Sequence, residues 1–427
     1  MKIWNQSSKD KDSAIDKFLS GEDIILDQEL FLYDIEASIA HANELKNIHI
    51  LNSAEFKKIV GSLKRLANLF QSNQFKLTKK YEDCHSAIED YLIKELGDLG
   101  KKIHTGRSRN DQVLVAMRLY MRSKLYEIQS INLKIAEVFL DKAEKYSSDL
   151  MPGYTHMQRA MPSTWGLWFS AFTESFLDNA DLIFNTQSWI NVNPLGTAAG
   201  YGTNLPINRK ISTKELDFKR AQLNSLYVQN SRGKFELEFI GVLKQPMLDL
   251  RKFSWDMSLF LTQEYNLLNI DSKYSTGSSI MPNKSNPDVI EIIRANYSIV
   301  AGHYQELENL SSLPSGYHRD LQLTKRSIIH SIHCVIKTLK IIPELVQSIR
   351  VNAKRSHDFV DEDMLMTSKV YALVQAGMPF REAYLKIKTG KDTNVHLSKS
   401  QKNKFSSGSP FNLQLPVLRR RLKKYVD

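Results

Sequence analysis

Arg107-Ser108-Arg109-Asn110-Asp111-Gln112-Val113-Leu114-Val115-Ala116-Met117-Arg118-Leu119-Tyr120-Met121 opens a run that reaches Met151 without a proline or a glycine. Forty-five residues free of both breakers exceed the average helix of about 11 residues several-fold. Within the run, Leu114, Met117, Met121, Leu125, Ile128, Ile131, Ile135 and Val138 recur at spacings of three and four, the signature of a helical apolar seam. A continuous helix here would span roughly 65 Å at ~1.5 Å rise per residue. Such a helix cannot bury one face within its own small domain, so the seam predicts a helix bundle shared between subunits.

Outward from this segment the pattern repeats. Ser163 to Val192, Ile207 to Gln245, Met247 to Ser272, Asp288 to Leu313 and Asp320 to Ile342 contain no proline, and strand-like alternation bounded by turn residues is scarce. The expected architecture is mainly α. An N-terminal helical domain covers residues 1–105, a central long-helix bundle 106–355, and a small C-terminal helical domain with a basic tail 356–427. With 42% hydrophobic and 25% charged residues among 427, the chain has the composition of an ordinary globular protein. No run of about 18 apolar residues suggests a membrane span, and Met1 to Asp12 lacks the apolar core of a secretory signal. Two cysteines, Cys84 and Cys334, exclude a disulfide framework and fit a cytoplasmic protein. Of the net charge of +11, the segment from Arg381 to Asp427 carries +9, from twelve Lys or Arg against three acids. The run Arg419-Arg420-Arg421-Leu422-Lys423-Lys424 has no interleaved aromatic side chain. It is expected to be a solvated or subunit-facing helix end, with neither a nucleic acid nor a membrane as partner.

Three polar, glycine-bearing stretches lie between the long segments: Lys102 to Gln112, Pro152 to Pro162 and Tyr274 to Pro287. The third reads Ser275-Thr276-Gly277-Ser278-Ser279-Ile280-Met281-Pro282-Asn283-Lys284-Ser285-Asn286-Pro287. Asn286 suits a helix N-cap and Pro287 the first helical position. The unpaired N–H groups of that helix start, with the charge of Lys284, make an anion site. In the first stretch Arg107 and Arg109 can grip carboxylates bidentately, while Ser108 and Asn110 add directional hydrogen bonds. In the second, His156 titrates near neutral pH and is a candidate general acid. Each feature alone has a bland alternative: a flexible Gly/Ser linker, surface arginines, a structural histidine.

Together they are more specific. Gly277, Ser278, Ser279, Met281, Pro282, Lys284, Asn286 and Pro287 meet every fixed position of the pattern G-S-S-x-M-P-x-K-x-N-P, and the loop resembles the hallmark segment of the fumarase/aspartase superfamily. Thr105-Gly106-Arg107-Ser108-Arg109-Asn110-Asp111-Gln112-Val113 resembles the block that marks the argininosuccinate lyase and δ-crystallin branch. Glu82-Asp83-Cys84-His85, Gly153-Tyr154-Thr155-His156-Met157-Gln158-Arg159-Ala160, Asn193 to Gly196, Tyr201 to Pro206 and Leu313 to Gln322 are similar to further blocks of that branch, in order, over about residues 15–395. The resemblance implies three helical domains whose long central helices form the core of a homotetramer, with sites shared between subunits. It implies anti-elimination that cleaves argininosuccinate to arginine and fumarate, without metal or organic cofactor.

The same resemblance implies the roles. Ser278 is the base, and His156, paired with Glu291, is the acid. Lys284 and Asn286 stabilise the carbanionic intermediate. Thr155 and Asn110 position the fumarate half, beside Arg107, Ser108 and Arg109. Asp27, Tyr317, Gln322 and Lys325 receive the amino-acid end. Asp23 departs from the pattern, standing where many members have a substrate-binding serine, and Met161 and Leu323 replace a usual glutamine and glutamate. The alternatives are another fumarate-releasing lyase, such as adenylosuccinate lyase, or a non-enzymatic, δ-crystallin-like structural role.

Overall fold

The computed structural model describes residues 18, 21–390 and 405–425. The segment before residue 18, and residues 391–404 of the basic tail, lie outside the described residues. The main helices are α1 (Asp23–Leu26), α2 (Phe31–Asn47), α3 (Ser53–Gln71), α4 (Cys84–Leu96), α5 (Arg109–Lys145), α6 (Trp165–Ile190), α7 (Lys234–Phe260), α8 (Asp288–Leu310), α9 (Thr324–Ser348), α10 (Met366–Gln375), α11 (Phe380–Lys388) and α12 (Leu415–Lys423). The strands form two-stranded pairs, of which the longest joins β1 (Leu150–Thr155) to β2 (Gln158–Thr164). The expectation of a mainly α fold built on long helices is met.

The breaker-free run folds as α5, 37 residues long. Its start is capped reciprocally: Ser108 Oγ accepts the Asn110 N–H at 3.3 Å, and Asp111 Oδ1 accepts the Ser108 N–H at 2.9 Å, closing two of the open donors of a helix N-terminus. All of the apolar seam is buried except Ile131, which is half-buried. The helix stops at Lys145, six residues short of Met151. There the chain turns back, with the Tyr146 carbonyl accepting the Gly166 N–H at 2.9 Å. A Cβ on Gly166 would lie 2.6 Å from Ser147 Cα, so this approach requires glycine.

Pro152 to Pro162, read as a loop, belongs to the β1–β2 hairpin. Pro152 and Pro162 face each other in its register. Antiparallel pairs alternate between bonded and non-bonded positions, and two prolines fit at a non-bonded one because no N–H is required there. Proline is also less of a boundary than the segmentation of the sequence assumed. Pro246 lies inside α7 and Pro343 inside α9. An interior proline costs ~3 kcal/mol, which the buried Leu243, Met247 and Leu250 on the same helix offset.

The described chain groups into two units. One comprises the residues up to Ile128, with Leu182–Lys244 and Ile299–Val335; the other comprises Gln129–Asp181, Gln245–Ser298 and Ile336 onward. In the first, Phe31, Leu45, Ile59, Leu63, Leu66 and Leu92 of α2, α3 and α4 form a fully buried core, and Trp189 stacks on Phe235 at 4.4 Å. In the second, Phe139 of α5 meets Phe172, Phe176 and Phe253 with ring centroids 5.3 to 5.9 Å apart. The basic α12 also belongs to the second unit, where Arg419 pairs with Asp141 at 2.8 Å and Glu144 at 2.7 Å, and Arg421 with Asp178 at 2.6 Å. Those arginines are turned onto the protein's own carboxylates.

Phe139 is fully buried at the centre of its aromatic cluster. Phe139→Ala is therefore expected to destabilise the protein by about 3–5 kcal/mol, measured by urea unfolding. A change below about 1 kcal/mol would mean that the cluster is not part of the cooperative core.

Candidate active site

In the first unit, α1 ends at Asp27, which is fully buried. One carboxylate oxygen of Asp27 accepts the Cys84 N–H at the start of α4 at 2.9 Å, and the other meets Lys325 Nζ at 2.6 Å. Lys325 also pairs with Asp23 at 3.0 Å, and the Gln322 side-chain amide donates to Asp23. Burial alone would lower the Lys325 pKa, but Asp27 and Asp23 hold it well above the ordinary lysine value. Burial raises the Asp23 pKa, with Lys325 opposing and Asp27 adding to the rise. The structure thus joins Asp27, Gln322 and Lys325, and adds the departure residue Asp23 to them. Tyr317 is partly exposed, with the Arg232 guanidinium 5.2 Å from its ring centre.

The block before α5 is held from two sides. Arg109 pairs with Asp83 at 3.0 Å and Glu82 at 3.1 Å, and donates to Ser86 Oγ at 2.9 Å. Asp83 is itself the N-cap of α4, accepting the Ser86 N–H at 2.7 Å. Arg107 is buried and donates to Ser38 Oγ at 2.9 Å. The carboxylates gripping Arg109 are thus the protein's own, and Ser108 and Asn110 stand half-buried at the helix start. Asp111 accepts the Gly196 and Ala198 N–H groups at 3.1 and 3.0 Å. Those bonds draw the Asn193 to Gly196 block onto α5. Burial pushes the Asp111 carboxyl up to about 6, against these hydrogen bonds. Burial and the neighbouring Arg107 and Arg109 push His104 down to about 4.

In the second unit, His156 and Met157 form the two-residue turn between β1 and β2, with φ of 54° and 60°. A turn with both central residues at positive φ ordinarily takes Asn-Gly, so this hairpin carries strain where its histidine is presented. Strain of that kind gathers at functional sites. Thr155 and His156 are exposed. In the hallmark loop, Thr276–Gly277 pairs with Ser285–Asn286, closing the intervening residues into a hairpin-like loop at the start of α8. Ser278 Oγ accepts the Ile280 and Met281 N–H groups at 3.3 and 3.0 Å. Lys284 is exposed and Asn286 half-buried. Glu291, in the first turn of α8, is exposed, and among the described residues no hydrogen bond or ion pair joins it to His156.

Asp27, Cys84 and His85 place three ligand-type atoms within 4.8 Å of one another. Lys325 Nζ, 2.6 Å from Asp27, already sits as the cation there, and His85 Nδ1 is bound to Asp34 at 2.6 Å. Burial and the surrounding acids also push the Cys84 thiol well up, which keeps it protonated. This donor set is built around an ammonium group and not around a metal ion. A cavity of ≈ 510 Å³ beside the hairpin is lined by Met157, Arg159, Tyr265 and Phe359 among others. It includes none of the residues given a catalytic or binding role from the sequence. Two residues escaped the sequence reading: Asp34, which holds His85, and Arg232, in the turn before α7. The His85 block gave a signal for the first, and Gly233, which follows Arg232 at φ +87°, gave a weak one for the second.

The lyase family model matches residues 2–302. Argininosuccinate lyase from Xanthomonas campestris pv. campestris (strain B100) is 44% identical over 422 residues, covering 98% of each chain. Argininosuccinate lyase from Stenotrophomonas maltophilia (strain R551-3) is likewise 44% identical, with the same coverage of both chains. Among solved structures, EDDS lyase in complex with formate superposes with a TM-score of 0.81 at 22% identity, covering 98% of this chain and 91% of that one. The fumarate lyase:delta crystallin from Brucella melitensis bound to cobalt gives 0.71 at 18% identity, covering 98% and 94%. These structural likenesses carry the fold alone.

Replacing Lys325 by methionine leaves Asp23 and Asp27 as adjoining carboxylates without their cation. Lys325→Met is expected to cost about 3–5 kcal/mol near neutral pH, measured by denaturant unfolding. A loss below about 1 kcal/mol would show that the pair is not closed against water.

Proposed function

The chain belongs to the argininosuccinate lyase family, and on that premise we infer that its site cleaves argininosuccinate to arginine and fumarate, the last step of arginine biosynthesis. The near-full-length relationship carries this reading, because it extends over all of the loops described above.

The chemistry is an anti-elimination. A proton leaves the succinyl carbon beside a carboxylate, the electron pair moves onto that carboxylate, and the C–N bond to the guanidine then breaks. The difficulty is the second negative charge that builds on the carboxylate, and fixed donors stabilise it best. Lys284, Asn286 and the N–H groups of the loop supply those donors. Ser278 takes the proton. The Ile280 and Met281 N–H groups that point at its Oγ support this role, since they stabilise the alkoxide a serine base requires. His156, presented by its strained turn, returns a proton to the departing guanidine, with its partner Glu291 supplied by another copy of the chain. Thr155, Ser108 and Asn110 position the fumarate half, with Arg107 and Arg109 bracing the helix start. The group formed by Asp27, Lys325, Gln322 and Tyr317 receives the amino-acid end.

The working form is a homotetramer in which loops of different copies complete each site. Exposed apolar side chains on the long helices support it: Phe184 and Trp189 on α6, Trp255 on α7, and Ile292 and Ile299 on α8. A single chain leaves these in water at a cost that subunit packing removes. The cytoplasm suits a free, buried Cys84.

Purified protein given argininosuccinate is expected to release fumarate, followed by ultraviolet absorbance, and to release none from adenylosuccinate or aspartate. Fumarate from either of those alone would reassign the substrate, and silence with all three would overturn the enzymatic reading. Ser278→Ala should keep its unfolding midpoint and lose turnover by about 10²- to 10⁴-fold. Retained turnover would remove Ser278 as the base.

A further inference from the structure

Ser38, His41 and Glu44 recur every three residues along α2, and all three are fully buried beside Ile35, Ala37, Ala42 and Leu45. A polar side chain in such a place costs stability unless it is bonded, so the partners of this stripe decide its meaning. His41 Nε2 lies 3.0 Å from the Thr105 carbonyl. A carbonyl only accepts, so the ring carries a hydrogen on Nε2 and donates it there. Burial lowers the His41 pKa, with Glu44 and the Thr105 carbonyl opposing and Arg107 adding to the fall, which leaves the imidazole neutral at physiological pH. One turn earlier, Ser38 Oγ accepts from Arg107 Nη1 at 2.9 Å. One turn later, Glu44 Oε2 stands 3.5 Å from His41 Nδ1. Burial lowers the pKa of Arg107 and of Arg209, with Glu44 among the opposing charges at both.

Between the two grips on Thr105 and Arg107 lies Gly106. It stands at φ +75°, and a Cβ there would lie 2.7 Å from Ile207 Cδ1, so the turn requires glycine. Gly106 offers no side chain by which the turn could be held. The turn is held on both sides from α2 instead, by the carbonyl of Thr105 and by the guanidinium of Arg107. The chain then enters α5 directly through the reciprocal cap of Ser108, Asn110 and Asp111. A shift of the Thr105–Arg107 turn is therefore passed on to Ser108 and Asn110, which in the proposed function position the fumarate half.

We propose that His41, together with Ser38, is a positioning residue for the elimination: the two clamp the Thr105–Arg107 turn to α2 and so set where Ser108 and Asn110 meet the substrate. The proposal rests on the argininosuccinate reading and deepens it. Neither side chain touches substrate; each acts through the turn it holds. The part played by His41 depends on the N–H of its Nε2, and not on the charge or the bulk of the ring.

Two amide variants of the full chain separate that N–H from the rest of the ring. His41→Gln places an amide nitrogen where Nε2 stands, whereas His41→Asn places one where Nδ1 stands, short of the Thr105 carbonyl. His41→Asn should lower kcat/KM for argininosuccinate by about 10- to 100-fold, mostly in kcat, because misplaced groups spoil the reacting geometry more than they weaken binding. His41→Gln should return to within about 3-fold of wild type, and Ser38→Ala should lose about 3- to 10-fold, again in kcat. Hydrogen exchange of the Gly106–Asn110 amides, read by mass spectrometry and needing no turnover, should quicken in His41→Asn and Ser38→Ala and stay at the wild-type rate in His41→Gln. Equal losses for the Gln and Asn variants would overturn the proposal and leave His41 a packing residue, as would wild-type kinetics and exchange in His41→Asn. Should His41→Asn fail to fold, Ser38→Ala decides by the same two readings, and no change in either overturns the clamp. If wild type releases no fumarate from argininosuccinate while the exchange pattern holds, the substrate reading falls and the clamp stands.

Discussion

The ammonium of Lys325 lies between two carboxylates, 2.6 Å from Asp27 and 3.0 Å from Asp23, and much of the first unit is organised around it. The contact ties the N-terminal α1 to the first turn of α9, almost 300 positions away in sequence, and Asp27 extends the tie to the first N–H of α4. Neither Asp27 nor Lys325 could remain charged and buried without the other. Three segments that local propensity would leave independent are therefore fixed to one another by electrostatics. Around them, Asp83 caps α4 and grips Arg109, and His85 is held by Asp34. Burial alone would discharge His85, but Asp34, with Asp83 and Asp27 behind it, raises its pKa above the ordinary value.

The second unit solves a different problem. Its aromatic core around Phe139 is buried, and the side chains proposed for catalysis stand on turns whose shape is set by the backbone. Met157 and His156 accept positive φ, and Ser278 is turned so that its oxygen receives two N–H groups of its own loop. These features are small and local, and they leave the side chains proposed for catalysis accessible. In the proposed function the buried electrostatic group receives the amino-acid end and the outward loops carry the elimination, each site being completed by loops of different copies.

The long helices were legible because burial on one face imposes a period that composition cannot imitate, as in the seam from Leu114 to Val138. The family was legible because Gly277 to Pro287 and Thr105 to Val113 carry many specified residues at fixed spacing. Other features were hidden for physical reasons. Pro246 and Pro343 looked like boundaries, but packing on the same helices outweighs the lost hydrogen bond. The β1–β2 hairpin was masked by prolines that fit at a non-bonded pair. Asp23 stood out from the sequence only as a departure, because its partners Lys325 and Gln322 come from the far side of the chain. Arg232 carried no motif at all: its place over Tyr317 and against the Leu321 carbonyl shows only in three dimensions.

The most direct measurement is an experimental structure of the assembled protein with L-arginine and fumarate bound. The account predicts the amino-acid end of L-arginine at the group formed by Asp27, Lys325 and Gln322, and fumarate against the Ser278–Asn286 loop of another copy. Finding L-arginine away from that group, or fumarate away from that loop, would contradict it.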